Sequence, residues 1–191
     1  MDITSFLLYC IIATFTPGPT NIVILSTVHN HGTNRAITYT YGATIGFGLL
    51  LATSAILNTI LITFIPKITF FMQIIGSGFM LYLAYLISRI DTSNPVASQS
   101  GSFLSGILMQ FLNPKVVLFT LTVIPTFIMP NYSSSAAMTI SVMVITIIGF
   151  SAFMTWVLFG SIFKKFLQKH FKIVNVLMAI SLVYASIMIW L

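Results

Sequence analysis

Long apolar runs alternate with short polar stretches along this chain, and six of the runs are long enough to cross a bilayer. They fall at roughly residues 4–28, 37–64, 68–88, 103–128, 136–162 and 173–191. Two of them are interrupted. The first contains Phe15-Thr16-Pro17-Gly18-Pro19-Thr20-Asn21, and the fourth contains Phe111-Leu112-Asn113-Pro114-Lys115. Proline has no N–H to donate and its ring clashes with the preceding turn, so each cluster predicts a helix broken near the middle of the membrane. Backbone left unpaired at that depth must be buried in protein or line a polar cavity. Matched breaks in the two halves of a chain point to the binding site of a transporter.

One polar, serine-rich stretch, residues 90–102, reads as a linker. It leaves three spans in residues 1–89 and three in 103–191, within one transmembrane domain. An odd number of spans per half makes the second half enter from the opposite side, as in an inverted-topology repeat. The fold expected is therefore all-α and polytopic, with six transmembrane helices arranged as two inverted three-helix repeats whose first helices are broken by proline. The second helix of each half also holds a Gly-Phe pair, Gly46-Phe47 and Gly149-Phe150. Gly42 and Gly46 have the four-residue spacing that lets membrane helices approach closely, as Gly76 and Gly78 thin the third helix.

Composition strengthens the membrane reading. Hydrophobic residues make up 58% of the chain and charged residues 5%, against about a quarter charged in a soluble domain. The opening Met1-Asp2-Ile3-Thr4 lacks the basic start of a cleavable signal, so the first span is expected to persist. Cys10 is the single cysteine, which excludes an internal disulfide and suits a small apolar packing group. The net charge of +6 does not point to nucleic acid, because the charges are segregated. Arg35, Arg89, Lys164, Lys165, Lys169 and Lys172 fall on one side of the predicted membrane and only Lys67 on the other. The positive-inside rule makes the basic side cytoplasmic and places both termini outside. Lys164 to Lys172 then meets anionic lipid headgroups.

Lys115 is the residue with the most chemical promise. It lies about twelve residues into its span, roughly 18 Å deep in a core about 30 Å thick, too far for its stem to reach either surface easily. Such a lysine faces a polar cavity or an ionic partner. The alternatives are a shifted span, a distorted helix that brings it to the headgroups, or local carbonyls that take the ammonium. Asn113 is a favoured N-cap and Pro114 suits the first helical position, so Lys115 falls in the first turn of a second half-helix. Free N–H groups and the positive dipole end beside an ammonium would attract a carboxylate. In the first break Thr16 can cap, Pro17 can start a half-helix, Gly18 can turn the backbone and Pro19 prevents a regular helix from re-forming. Thr20 and Asn21 add polar groups at the same depth.

Enzyme readings lack the residues they need. The only carboxylates, Asp2 and Asp91, lie outside the spans, and Ser77 has no histidine at its depth to serve as a base. His29 and His31 are too few for a convincing metal site, and no phosphate-binding glycine loop follows a strand. Catalytic residues, metal ligands and cofactors are therefore not expected.

The two broken motifs carry a resemblance. Thr16-Pro17-Gly18-Pro19, then Gly32, Arg35, Gly42 and Gly46, then Gly76 with Tyr82-Leu83, then Gly106, Asn113-Pro114-Lys115, Phe119, Pro125 and Phe127 resemble the lysine-exporter (LysE/RhtB) family of bacterial amino-acid exporters. Past Pro130 the likeness is in hydropathy and length alone. The resemblance implies a six-helix inner-membrane exporter of amino acids or their derivatives, driven by the proton gradient and assembled as a homodimer. The chain departs from the family pattern at Thr20, where many members carry an acid or asparagine, at Phe79 in place of a tyrosine and at Ala84 in place of a glycine. With no acid in the spans, a neutral amino acid fits better than a basic one. The expected substrate-binding set is Thr16, Pro17, Gly18, Pro19, Thr20, Asn21, Gly42, Gly46, Asn113, Pro114 and Lys115. A passive channel or a non-transporting scaffold, in which the breaks are merely structural, is the competing reading.

Overall fold

The computed structural model describes residues 3–89, 101–132 and 134–188. All regular structure in these residues is helical: α1 Ile3–Phe15, α2 Pro19–His31, α3 Thr33–Arg89, α4 Phe103–Leu112, α5 Pro114–Val123, α6 Ser135–Ile162, α7 Lys164–Lys169 and α8 Phe171–Met188. A π-helical turn, Ile124–Ile128, continues α5 and contains Pro125. Proline lacks the donor and crowds the carbonyl four residues back, and the wider turn relieves both.

Thr33–Leu57 and α6 are each long and apolar enough to cross a membrane. Two further segments pass the same test only as bent pairs, α1 with α2 at 45° and α4 with Pro114–Ile128 at 68°. The bends fall at the two proline clusters. Most of linker 90–102 lies outside the described residues; its end is a positive-φ Gly101 followed by Ser102, whose hydroxyl accepts from Ser105 N at the start of α4.

Three connections differ from expectation. The second and third apolar runs were expected to be separate spans, but both lie within the single helix α3. That helix is not a straight rod, because Phe47 and Met80 line cavities that share Gly18, Asn113 and Lys115. A straight helix would hold these two residues about 50 Å apart. The axis therefore turns back between them. The polar segment 29–35, expected as a loop, narrows to Gly32 alone: its φ of 91° lets α2 end and α3 begin within one residue, a conformation open mainly to glycine. Segment 163–172, also expected as a connector, holds the short helix α7.

α3 packs on α4 through glycine. A Cβ on Gly42 would overlap the Phe103 carbonyl, one on Gly106 would overlap the Tyr39 carbonyl, and one on Gly46 would lie 2.9 Å from the Ile107 carbonyl. The two backbones are therefore in direct contact. Gly78, expected to serve packing of the third helix, has nothing within 4 Å of its Cβ position among the described residues. Tyr39, Phe47, Met109, Ile124, Ile145 and Leu182 are buried, while large apolar residues such as Ile12, Ile147 and Ile162 face outward. An apolar outer surface on an all-helical chain is what a lipid solvent requires. Cys10 is free and fully buried, as its packing role predicts.

Candidate functional site

The first break frees carbonyls at the end of α1, because Pro17 and Pro19 have no N–H to meet those of Ala13 and Phe15. Three side chains from three other helices catch the loose end. Asn21 Nδ2 donates to the carbonyls of Thr14 (3.2 Å) and Thr16 (3.0 Å). Trp156 Nε1 on α6 donates to Phe15 O at 3.3 Å, and Lys115 Nζ on α5 donates to Thr16 O at 3.0 Å. Local carbonyls thus take one of the three donors of the ammonium.

The helix start sits later than the sequence reading placed it. Thr16 does not cap; its hydroxyl donates back to Ile12 O within α1. Pro19 rather than Pro17 occupies the first position of α2, and Gly18 is the N-cap, extended at φ −161° and ψ 176°, with no side chain to cap with. Ile22 N donates to Gly18 O at 2.9 Å, whereas the N–H groups of Thr20 and Asn21 have no acceptor among the described residues. Both residues are buried.

The second break is closed in a different way. Asn113 caps α5 as expected, its Oδ1 accepting from Lys115 N at 3.1 Å, with Pro114 behind it. Its carbonyl accepts from both Val116 N and Val117 N at 3.0 Å. The free N–H groups expected at this half-helix are therefore already occupied. A carboxylate here meets the Lys115 ammonium and the dipole, but no vacant backbone donor on α5.

The breaks touch. Asn113 Nδ2 donates to Thr20 Oγ1 at 2.9 Å, and Gln110 Nε2 donates to the same oxygen at 3.3 Å. Two cavities flank this junction and share Gly18, Asn113 and Lys115. One is a chamber of about 30 Å³, bounded by Thr20, Asn21 and the rings of Phe47, Phe119 and Phe153. That is room for about one water or one carboxylate. The other is an open cleft of about 620 Å³ lined by Thr16, Pro17, Pro19, Pro114 and apolar groups of α3 and α8. Its size suits a small-molecule ligand.

Nine of the expected residues, Thr16 to Asn21 and Asn113 to Lys115, thus surround one site. Gly42 and Gly46 do not line it: their open faces are filled by Phe103, Ile107 and Gln110 of α4. The four-residue glycine spacing serves the helix crossing. The structure adds groups that sequence reasoning passed over: Phe47, Met80, Phe153, Trp156, Ser181 and Tyr184. Trp156 carried a usable signal, because an indole N–H inside a membrane bundle needs an acceptor.

Toward the Ile3 end of α1 the chamber is bordered by a row of packed rings. Phe47 meets Phe119 at 5.9 Å between centroids, Phe119 meets Tyr9 at 5.5 Å, Tyr9 meets Phe127 at 5.2 Å and Phe127 meets Phe6 at 5.9 Å. At the opposite end α2 and α6 close tightly. A Cβ on Gly160 would lie 3.0 Å from Val28, and Thr33 and Ser161 share a hydroxyl hydrogen bond of 2.9 Å.

An all-helical apolar chain with two broken helices meeting around a half-buried cation has the site architecture of a membrane transporter. The chain belongs to the LysE type translocator family, whose model matches residues 11–191. It is 30% identical over 189 residues to a cysteine/O-acetylserine efflux protein of Klebsiella pneumoniae subsp. pneumoniae, covering 98% of this chain and 96% of that one. It is 25% identical over 189 residues to the protein of the same name in Escherichia coli strain K12, covering 98% and 97%. No solved structure matches the chain. The chain is thus a multi-pass membrane transporter of an amino-acid efflux family, and not an enzyme.

Proposed function

We propose that this protein is a secondary exporter of a small neutral amino acid or amino-acid derivative across the bacterial inner membrane, coupled to the proton gradient. The observation that carries this reading is the meeting of the two breaks at Lys115, which lines both cavities and whose ammonium keeps donors free beyond its bond to Thr16 O. The substrate carboxylate pairs with Lys115, and its ammonium meets Asn21 Oδ1, because Thr16 O already accepts from Asn21 Nδ2 and Lys115 Nζ. Among the described residues no acidic side chain lines either cavity, so a cationic side chain would enter without a partner there. The relatives named for cysteine and O-acetylserine efflux support a neutral substrate of that size.

Six crossings as two inverted repeats, 1–89 and 103–191 about linker 90–102, would let the halves rock around the site and expose it to each side in turn. Both termini lie outside, Lys164 to Lys172 rests on cytoplasmic lipid headgroups, and two copies assemble as a homodimer. The ring stack and the α2–α6 contact are the closures on the two sides. Expression in a sensitive bacterium, with amino acids screened for relief of growth inhibition, tests the function. Relief by small neutral amino acids, abolished when the proton gradient is collapsed, is expected. Relief by none of them would overturn the proposal.

A further inference from the structure

Buried backbone N–H groups without partners are rare, and each calls for an explanation. Two adjacent ones stand at the start of α2, on Thr20 and Asn21, the second and third residues of a 13-residue helix. These are the groups an N-cap side chain normally satisfies, and the N-cap here is Gly18. The missing cap is not forced by the backbone, since Gly18 is in the extended conformation typical of N-cap residues. Nor is it forced by lack of space: a Cβ at Gly18 would meet only the Lys115 side chain, 3.3 Å from Cδ and 3.5 Å from Nζ. A capping carboxylate would therefore sit between the Lys115 ammonium and the two N–H groups.

Asn21 supplies the complementary half. Its Nδ2 is fixed by two carbonyls, which orients Oδ1 away from them. That oxygen is fully buried and has no hydrogen-bond partner among the described residues, although Asn21 borders the chamber. Thr20, Asn21 and Lys115 thus all border a space the size of a carboxylate, with the unpartnered Asn21 oxygen packed beside it. An α-amino acid presents a carboxylate and an ammonium joined through a single carbon.

We infer that the uncapped first turn of α2, together with Lys115, is the subsite for the head group of an α-amino acid, and that the substrate carboxylate is the missing N-cap. This rests on the exporter reading above and deepens it, assigning the carboxylate to α2 rather than to the already satisfied N-terminus of α5. Thr20 N–H, Asn21 N–H and Lys115 Nζ hold the carboxylate, and Asn21 Oδ1 accepts from the ammonium. The side chain of the substrate then lies in the open cleft, where Met80, Ile180 and Tyr184 meet it.

Gly18→Asp tests this, because it supplies the cap from within. The variant should unfold about 2–4 °C higher than wild type, as expected for a restored cap. It should also lose at least about tenfold in affinity for O-acetyl-L-serine, followed as ligand-induced thermal shift of the purified protein. Gly18→Ala adds the Cβ without the cap and measures the steric share of that loss. A Gly18→Asp protein that folds and binds as Gly18→Ala does would overturn the subsite. Should Gly18→Asp not fold, the wild-type protein decides. Propionate should raise its melting temperature and compete with O-acetyl-L-serine, whereas L-serine methyl ester should do neither, and equal effects of the two would overturn the subsite. Because binding is read without flux, loss of the transport reading alone would leave these shifts intact.

Discussion

Replacing Lys115 by methionine removes the ammonium but keeps a stem of similar bulk against Gly18. The loss in binding can be bounded from two sides. A carboxylate about 4 Å from the ammonium at an effective dielectric of 20 gains about 4 kcal/mol. A charge-assisted hydrogen bond nets about 1.5–3 kcal/mol after desolvation. A loss of about 2–4 kcal/mol corresponds to roughly 30- to 1000-fold in affinity. Stability should change far less. Thr16 O loses its bond from Lys115 Nζ but keeps the one from Asn21 Nδ2, so no carbonyl is stranded. The variant should therefore reach the membrane in near-normal amounts, judged by immunoblot of the membrane fraction, while transport of O-acetyl-L-serine by proteoliposomes disappears. Transport within about threefold of wild type, less than 1 kcal/mol, would refute a substrate role for Lys115.

Three further substitutions probe the frame around the site. Asn113→Ala removes the α5 cap and the bond to Thr20, and should lower the melting temperature by about 2–8 °C, for about 1–2 kcal/mol. Gly106→Ala drives a methyl into the Tyr39 carbonyl, which neither backbone can yield to, and should cost about 3 kcal/mol or more; loss of folded protein on size-exclusion chromatography checks it. Phe119→Ala takes out the ring between Phe47 and Tyr9 and should let labelled amino acid leak from proteoliposomes that wild-type protein keeps tight.

The positions of both breaks were legible because proline acts locally, through its own missing donor. The Asn113-Pro114 cap was legible for the same reason. The first break was misplaced by two residues because two prolines compete to start α2, and the Thr16 hydroxyl prefers the carbonyl of its own helix. The satisfied N-terminus of α5 could not be read, since it depends on one carbonyl accepting from two N–H groups. Gly42 and Gly46 were ambiguous because a small residue admits a neighbouring helix or a ligand equally well. The contributions of α6 and α8 were invisible for another reason. Both helices are apolar nearly all round, so no periodic face marks Phe153 as inward or Ser181 and Tyr184 as lining the cleft.

Counterflow is the most direct test of a carrier built on two meeting breaks. Proteoliposomes loaded with unlabelled O-acetyl-L-serine are diluted into a trace of the labelled compound with no ion gradient. An alternating-access exporter should accumulate label transiently above its equilibrium level, and Lys115→Met should abolish the overshoot. Label that merely equilibrates without overshoot, or does not enter, would contradict the account.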